Sequence, residues 1–148
     1  MIGLFNIVGT LSSGYLSTKY PKKIILSSIY FLRGISTLYF ILLPPSVINA
    51  LIFGITFGFL WLATVPPTNG IVASIFGTKD LGLLYGIVFL SHQIGSFLGS
   101  YLGGLFYEIY SSYDYAWYIS IALSLFAAII HLPINEQPVV RSEAPQVN

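Results

Sequence analysis

Residues 19–45 read KYPKKIILSSIYFLRGISTLYFILLPP, and this stretch decides the fold. Lys19, Lys22 and Lys23 form a short basic cluster, and the run Ile24 to Leu43 follows with Arg33 as its only charge. Pro44 and Pro45 then end it, since proline supplies no backbone donor to continue a helix. An apolar run of this length, with a basic flank and a proline stop, reads as a helix crossing ~30 Å of hydrocarbon, which takes ~20 residues.

The same reading extends in both directions. Apolar spans are expected over 2–18, 24–43, 47–76, 81–107 and 116–133. Lipid offers the backbone no hydrogen-bond partners, so each span must be a helix that satisfies itself. Strands of a transmembrane barrel would alternate over ~10 residues, and no such alternation is present. The fold class is therefore all-α, a polytopic bundle of five transmembrane helices. Composition agrees. Charged residues make up 7% of the chain, against roughly 25% in soluble domains. Mean hydropathy is +0.82.

The loops give an orientation. Lys19, Lys22, Lys23, Lys79 and Arg141 fall in segments that share one membrane face, and the opposite face, Pro44 to Ser46 and Glu108 to Tyr115, has neither lysine nor arginine. The positive-inside rule places the first set in the cytoplasm, with the N-terminus outside and the C-terminus inside. Residues 134–148, proline-containing and of mixed charge, read as a disordered cytoplasmic tail. An N-out start with an odd number of spans points to a chain that forms the C-terminal part of something larger.

Several function classes are excluded. A net charge of +1 leaves no basic face for nucleic acid. Without cysteine there is no disulfide, thiolate or cysteine-based metal site. No nucleophile–base arrangement, HExxH or phosphate loop is present, so no catalytic residue, metal or cofactor is assigned.

Four features carry chemistry. The first is Trp61, Thr64, Pro66, Pro67, Thr68 and Asn69, clustered at mid-membrane depth in the third span. Two prolines expose carbonyls there, and broken membrane helices either line substrate cavities or are kinks filled by neighbouring hydroxyls. The second is Arg33, which costs roughly 2.5–3.5 kcal/mol at the bilayer centre and must face protein or water. Tyr30, Ser36 and Thr37 share its face, and either an anionic solute or helix-end carbonyls would satisfy it. The third is His92 with Gln93 in the fourth span. Tyr85, Ser96, Gly99 and Gly103 lie on the face of His92, which is expected to be packed, so this histidine is either a proton site or a satisfied interior donor. The fourth is the glycine ridge Gly95, Gly99, Gly103, with Gly54 and Gly58 in the third span, a pattern that lets helix backbones approach closely. Asp114 is expected to cap the fifth span. Val8 to Leu16 also echoes Ile94 to Leu102 three helices later, the spacing of an inverted repeat.

These residues resemble a known family. Gly14-Tyr15-Leu16-Ser17-Thr18-Lys19-Tyr20-Pro21-Lys22-Lys23 is similar to the cytoplasmic loop motif of the major facilitator superfamily, with Thr18 where the motif has an acid and Pro21 where it has glycine. The segments Trp61 to Gly70, Phe89 to Gly99 and Ser112 to Trp117 resemble bacterial monocarboxylate-transporter-like members. The resemblance implies that the five spans match helices eight to twelve of a twelve-helix secondary transporter in a bacterial inner membrane. It implies alternating access, with small organic anions as solutes. The third span would line the pathway, with Thr64, Thr68, Asn69 and His92 facing it and Trp61 and Gln93 beside them. Gly14, Lys19, Lys22 and Lys23 would form the cytoplasmic loop. The expected partners are the lipid bilayer, a small solute and the missing N-terminal helices or a partner chain. The rival expectation is a non-transporting, truncated or assembly-dependent helical subunit.

Overall fold

The computed structural model describes residues 1–139, and among them every regular element is a helix. They are α1 (Ile2–Leu16), α2 (Lys22–Leu42), α3 (Val47–Trp61), α4 (Val65–Phe76), α5 (Leu81–Tyr110) and α6 (Asp114–His131). Helices α3 and α4 together make the expected third span, interrupted at Leu62-Ala63-Thr64. Four spans have the length and composition to cross a bilayer, and α1, with 15 residues, is shorter. At 1.5 Å per residue α1 covers about 22 Å, less than the hydrocarbon thickness.

Some boundaries differ from expectation for visible reasons. α2 starts at Lys22, because Pro21 presets the entry backbone and Lys22 and Lys23 are taken into the first turn. α5 runs on to Tyr110, where Ser111 adopts a left-handed φ of 52° and stops it. α6 begins at Asp114, but its side chain does not cap the helix. Ser112 Oγ instead accepts from the Asp114 N–H at 3.1 Å, which corrects the expected cap. At α3 the Ser46 side chain accepts from the Asn49 N–H.

Two helix pairs form the packed body. In the α2–α6 pair, Gly34 lies against Ser124 and Leu125, Ser27 Oγ donates to the Ala128 carbonyl at 2.7 Å, Tyr30 stacks on His131 and Phe40 meets Trp117 edge-on. In the α1–α3 pair the backbones nearly touch. A Cβ on Gly9 would overlap the Phe59 carbonyl, and one on Gly58 would lie 2.8 Å from the carbonyl oxygen of Ile2. Small residues at such crossings supply the van der Waals contact that holds helices together in lipid.

Helix α5 stands apart. It touches only α4 and α6 to any extent, has no buried residue, and is exposed throughout Ser91–Ser100. A Cβ added at Gly95, Gly99 or Gly103 would meet nothing. Among the described residues the ridge expected to be packed is therefore uncovered, because the helices that could reach it are paired with one another.

The tail expected over 134–148 is described only as far as Val139, and the remainder, including Arg141, lies outside the described residues. Its described part is non-helical and bonded to the bundle. Glu136 Oε1 accepts from the Lys23 N–H at 2.8 Å, Glu136 Oε2 lies 3.6 Å from Lys22 Nζ, and the Val139 N–H donates to the Ile75 carbonyl at 2.9 Å.

Candidate functional site

The break between α3 and α4 follows from two missing donors. In an unbroken helix the nitrogens of Pro66 and Pro67 would serve the carbonyls of Leu62 and Ala63, and proline has no N–H to give. The chain tightens instead, and the Val65 N–H donates to the Leu62 carbonyl at 3.0 Å. That shift takes the Val65 donor away from the Trp61 carbonyl, its partner in a regular helix.

Arg33 fills the gap. From α2 its Nη2 donates to the Leu60 carbonyl at 2.7 Å and to the Trp61 carbonyl at 2.9 Å. A cation at a helix C-terminus also opposes the negative end of the helix dipole. The guanidinium lies over the rings of Tyr30 and Phe57, 5.4 and 5.9 Å from their centroids. Of the two roles left open by the sequence, this geometry is the helix-end cap. The rest of the polar strip on α2 is also used internally. Ser36 Oγ and Thr56 Oγ1 are 2.8 Å apart, and Thr37 Oγ1 donates to the Arg33 carbonyl. From α1, Asn6 Oδ1 accepts from the Leu62 N–H at 3.0 Å, a contact that the sequence reading missed. Asn6 is a lone amide in an apolar span, and that was the available signal. The break is thus pinned from both neighbouring helices.

Thr64, Thr68 and Asn69 sit at or just beyond the break. Thr68 Oγ1 donates to the Thr64 carbonyl at 2.7 Å, so its proton is committed locally. Asn69 Oδ1 is buried with no hydrogen-bond donor in reach among the described residues. Buried polar atoms in native proteins nearly always have partners, so this oxygen and the similarly buried, unpartnered Arg33 Nε are the unused hydrogen-bonding groups at the break. Trp61 is half exposed and tilted against Phe57.

His92 and Gln93 are not brought to this cluster. Both lie in the exposed stretch of α5, and the nearest ring contact of His92 is Phe89 on its own helix. The expected packed face of His92 is corrected accordingly: among the described residues nothing covers the stretch Ser91–Ser100.

The basic loop joins the site at its far end. Gly14 lies 3.7 Å, measured from an added Cβ, from Pro66, so α1 rests on the first turn of α4. The stem of Lys22 crosses Gly70 on α4, where a Cβ would lie 2.8 Å from Lys22 Cδ, and its ammonium reaches Glu136. Lys19 Nζ lies 4.5 Å above the Tyr15 ring. Among the described residues no group of three or more metal-ligating side chains gathers.

The sequence profile of the Major Facilitator Superfamily matches residues 1–147. The chain is 30% identical over 135 residues to a protein of Bacillus subtilis (strain 168) described as an uncharacterized MFS-type transporter, YcxA. That match covers 88% of this chain but 33% of the relative, so the chain spans about a third of its length. No solved structure matches.

Proposed function

Because this chain belongs to the major facilitator superfamily, we propose that it is the C-terminal portion of a secondary transporter working by alternating access. The proposed solutes are small organic anions such as monocarboxylates, and the proposed location is a bacterial inner membrane with the basic loops in the cytoplasm. The carrying observation is the broken third span. A helix interrupted at mid-membrane, tied to α1 by Asn6 and to α2 by Arg33, presents the buried Asn69 Oδ1 just past the break. That is the form in which transporters of this type build midplane sites. An amide oxygen accepts a hydrogen bond from a carboxylic acid or hydroxyl, and the amide NH₂ donates to a carboxylate.

The internal echo supports a larger assembly. It lays Gly9 on Gly95, and Gly9 is covered by α3 whereas Gly95 is open. In an inverted repeat of three helices, the cover for Gly95 is the counterpart of the third span, a helix lying before α1. The uncovered ridge of α5 is the proposed docking seam for such a helix, from a longer polypeptide or a partner chain. His92 and Gln93 would then be enclosed by it.

The test uses the intact YcxA-like relative, with Asn69 and His92 mapped by alignment. Uptake of radiolabelled small monocarboxylates into energised vesicles should fall at least tenfold for the Asn69→Ala equivalent with expression unchanged. Unchanged uptake for both positions would remove the site assignment. The second reading is a non-transporting subunit that assembles through α5, which the exposure of that helix favours. Stable co-purification with a helical partner, without solute flux, would select it.

A further inference from the structure

The segment after α6 serves two helix ends that the rest of the chain leaves open. No aspartate or glutamate occurs before Asp80, so the basic cluster at residues 19–23 has no acid near it in sequence. α2 starts after Pro21 with no side-chain cap and no acidic residue in its first turn, and the first N–H groups of a helix have no partner within it. Glu136 meets both needs from the far end of the chain. Its Oε1 accepts from the Lys23 N–H at 2.8 Å, and its Oε2 lies 3.6 Å from Lys22 Nζ. A carboxylate placed there also suits the positive end of the α2 dipole.

The same segment then reaches the end of α4. Carbonyls in the last turn of a helix lack donors, and the Ile75 carbonyl accepts from the Val139 N–H at 2.9 Å. Lys22 joins the two attachments, because its stem crosses Gly70 on α4 while its ammonium faces Glu136. From Gly70 to Ile75 α4 rises about 7.5 Å. The chain from Glu136 to Val139 reaches about 10 Å when extended, so the two attachments match in length. The segment is also shaped locally: Asn135 Oδ1 accepts from the Gln137 N–H at 3.1 Å, and Pro138 fixes φ just before Val139. We propose that residues 134–139 form a strap that holds the end of α4 closed against the start of α2, with the Lys22–Glu136 pair as its catch. Moving α4 away from α2 at this end must break the Ile75 bond or release the catch. The strap is a property of this chain and does not depend on the transport reading.

One strap and two unrelated contacts differ in how their ends respond to each other. The measurement is amide hydrogen exchange of the purified full chain in neutral detergent, read by mass spectrometry at single-amide resolution. Glu136→Ala removes the attachment to α2, and the Lys23 amide should exchange about tenfold faster, as expected when a hydrogen bond to a charged group is lost. Residues 73–77, whose bond to the tail is made by Val139 and not by Glu136, should also speed up by about threefold, the low end of coupling within one network. Val139→Pro removes the donor to the Ile75 carbonyl and should in turn raise exchange at Lys23 by about threefold. Glu136→Gln keeps an acceptor without the charge and should give the same pattern at smaller amplitude, with α1 and α3 exchanging as in the wild type. No change at residues 73–77 in Glu136→Ala, or none at Lys23 in Val139→Pro, overturns the proposal. Acceleration spread evenly over every helix in Glu136→Gln overturns it too, since that is a general loss of stability and not the opening of one end.

Discussion

Replacing Arg33 with methionine tests whether this side chain holds the broken helix. The substitution removes two interhelical bonds, to the carbonyls of Leu60 and Trp61. Within a membrane such bonds are worth about 0.6 kcal/mol each on average and at most ~1.7, so the loss is about 1–3 kcal/mol of packing stability. The same change removes roughly 2.5–3.5 kcal/mol of insertion cost for α2. The two effects appear in different assays. Glycosylation mapping of α2 insertion should improve, while SDS-titration unfolding of the folded bundle should shift to lower detergent fraction. Arg33→Lys keeps the charge but not the fork that reaches two carbonyls, and should fall between the two. The decisive arm is a cycle with Pro66→Ala and Pro67→Ala. Restored backbone donors close α3 onto α4, so Arg33→Met should cost less there, with a coupling of about 1 kcal/mol. If Arg33→Met unfolds at the wild-type detergent fraction, or loses as much in the alanine background, the capping role is refuted.

Gly9→Ala places a methyl against the Phe59 carbonyl and should destabilise the bundle by about 1–3 kcal/mol in the same SDS titration, while Gly95→Ala, with open space around it, should leave the isolated chain unchanged. Glu136→Gln removes the Lys22 ion pair, whose two side chains are 23% and 19% exposed, and should cost no more than about 1 kcal/mol globally. Its visible effect should be local, with faster hydrogen exchange at the Lys23 amide. Asn69→Ala should leave SDS stability nearly unchanged, because no protein donor is lost, while uptake by the longer relative falls as stated above.

The membrane class and four of the five expected spans were legible because they rest on length and polarity alone, whereas the first span forms a helix of only 15 residues. The interruption of the third span was legible at Pro66-Pro67, since two missing donors in sequence leave a helix no alternative. Arg33 was legible as a side chain that must face protein or water, and Tyr30, Ser36 and Thr37 as its companions on one face. What periodicity does not encode is which helix faces which. His92 and the α5 glycines were placed on a packed face because small residues mark a seam, yet a seam says nothing about whether its cover is in the same chain. Asn6 was passed over for a related reason. A single amide in an apolar span declares a need for a partner without naming the Leu62 N–H that meets it. The bonds of Glu136 to the basic loop join residues far apart in sequence, across a contact that no local pattern anticipates.

Arg33 and the proline pair are best understood as two defects that partly offset each other. A cation at mid-membrane is costly because nothing in lipid accepts its hydrogen bonds, and a helix interrupted there is costly because carbonyls are left without donors. Each defect supplies what the other lacks. The guanidinium spends Nη2 on the carbonyls of Leu60 and Trp61 and lies over the rings of Tyr30 and Phe57, while its Nε is buried without a hydrogen-bond partner among the described residues. A fixed cap of this kind sets the end of α3 rigidly against α2, while α4 beyond the break keeps its own contacts, with Gly14 above and the Lys22 stem below. The third span is thereby divided into two segments, both fastened to α2: α3 through Arg33 and the Ser36–Thr56 pair, α4 through the Lys22 stem against Gly70. The two prolines make the junction, because they remove the donors that would carry one continuous ladder through it, and the Val65–Leu62 bond with the side chains of Arg33 and Asn6 holds the two segments in place.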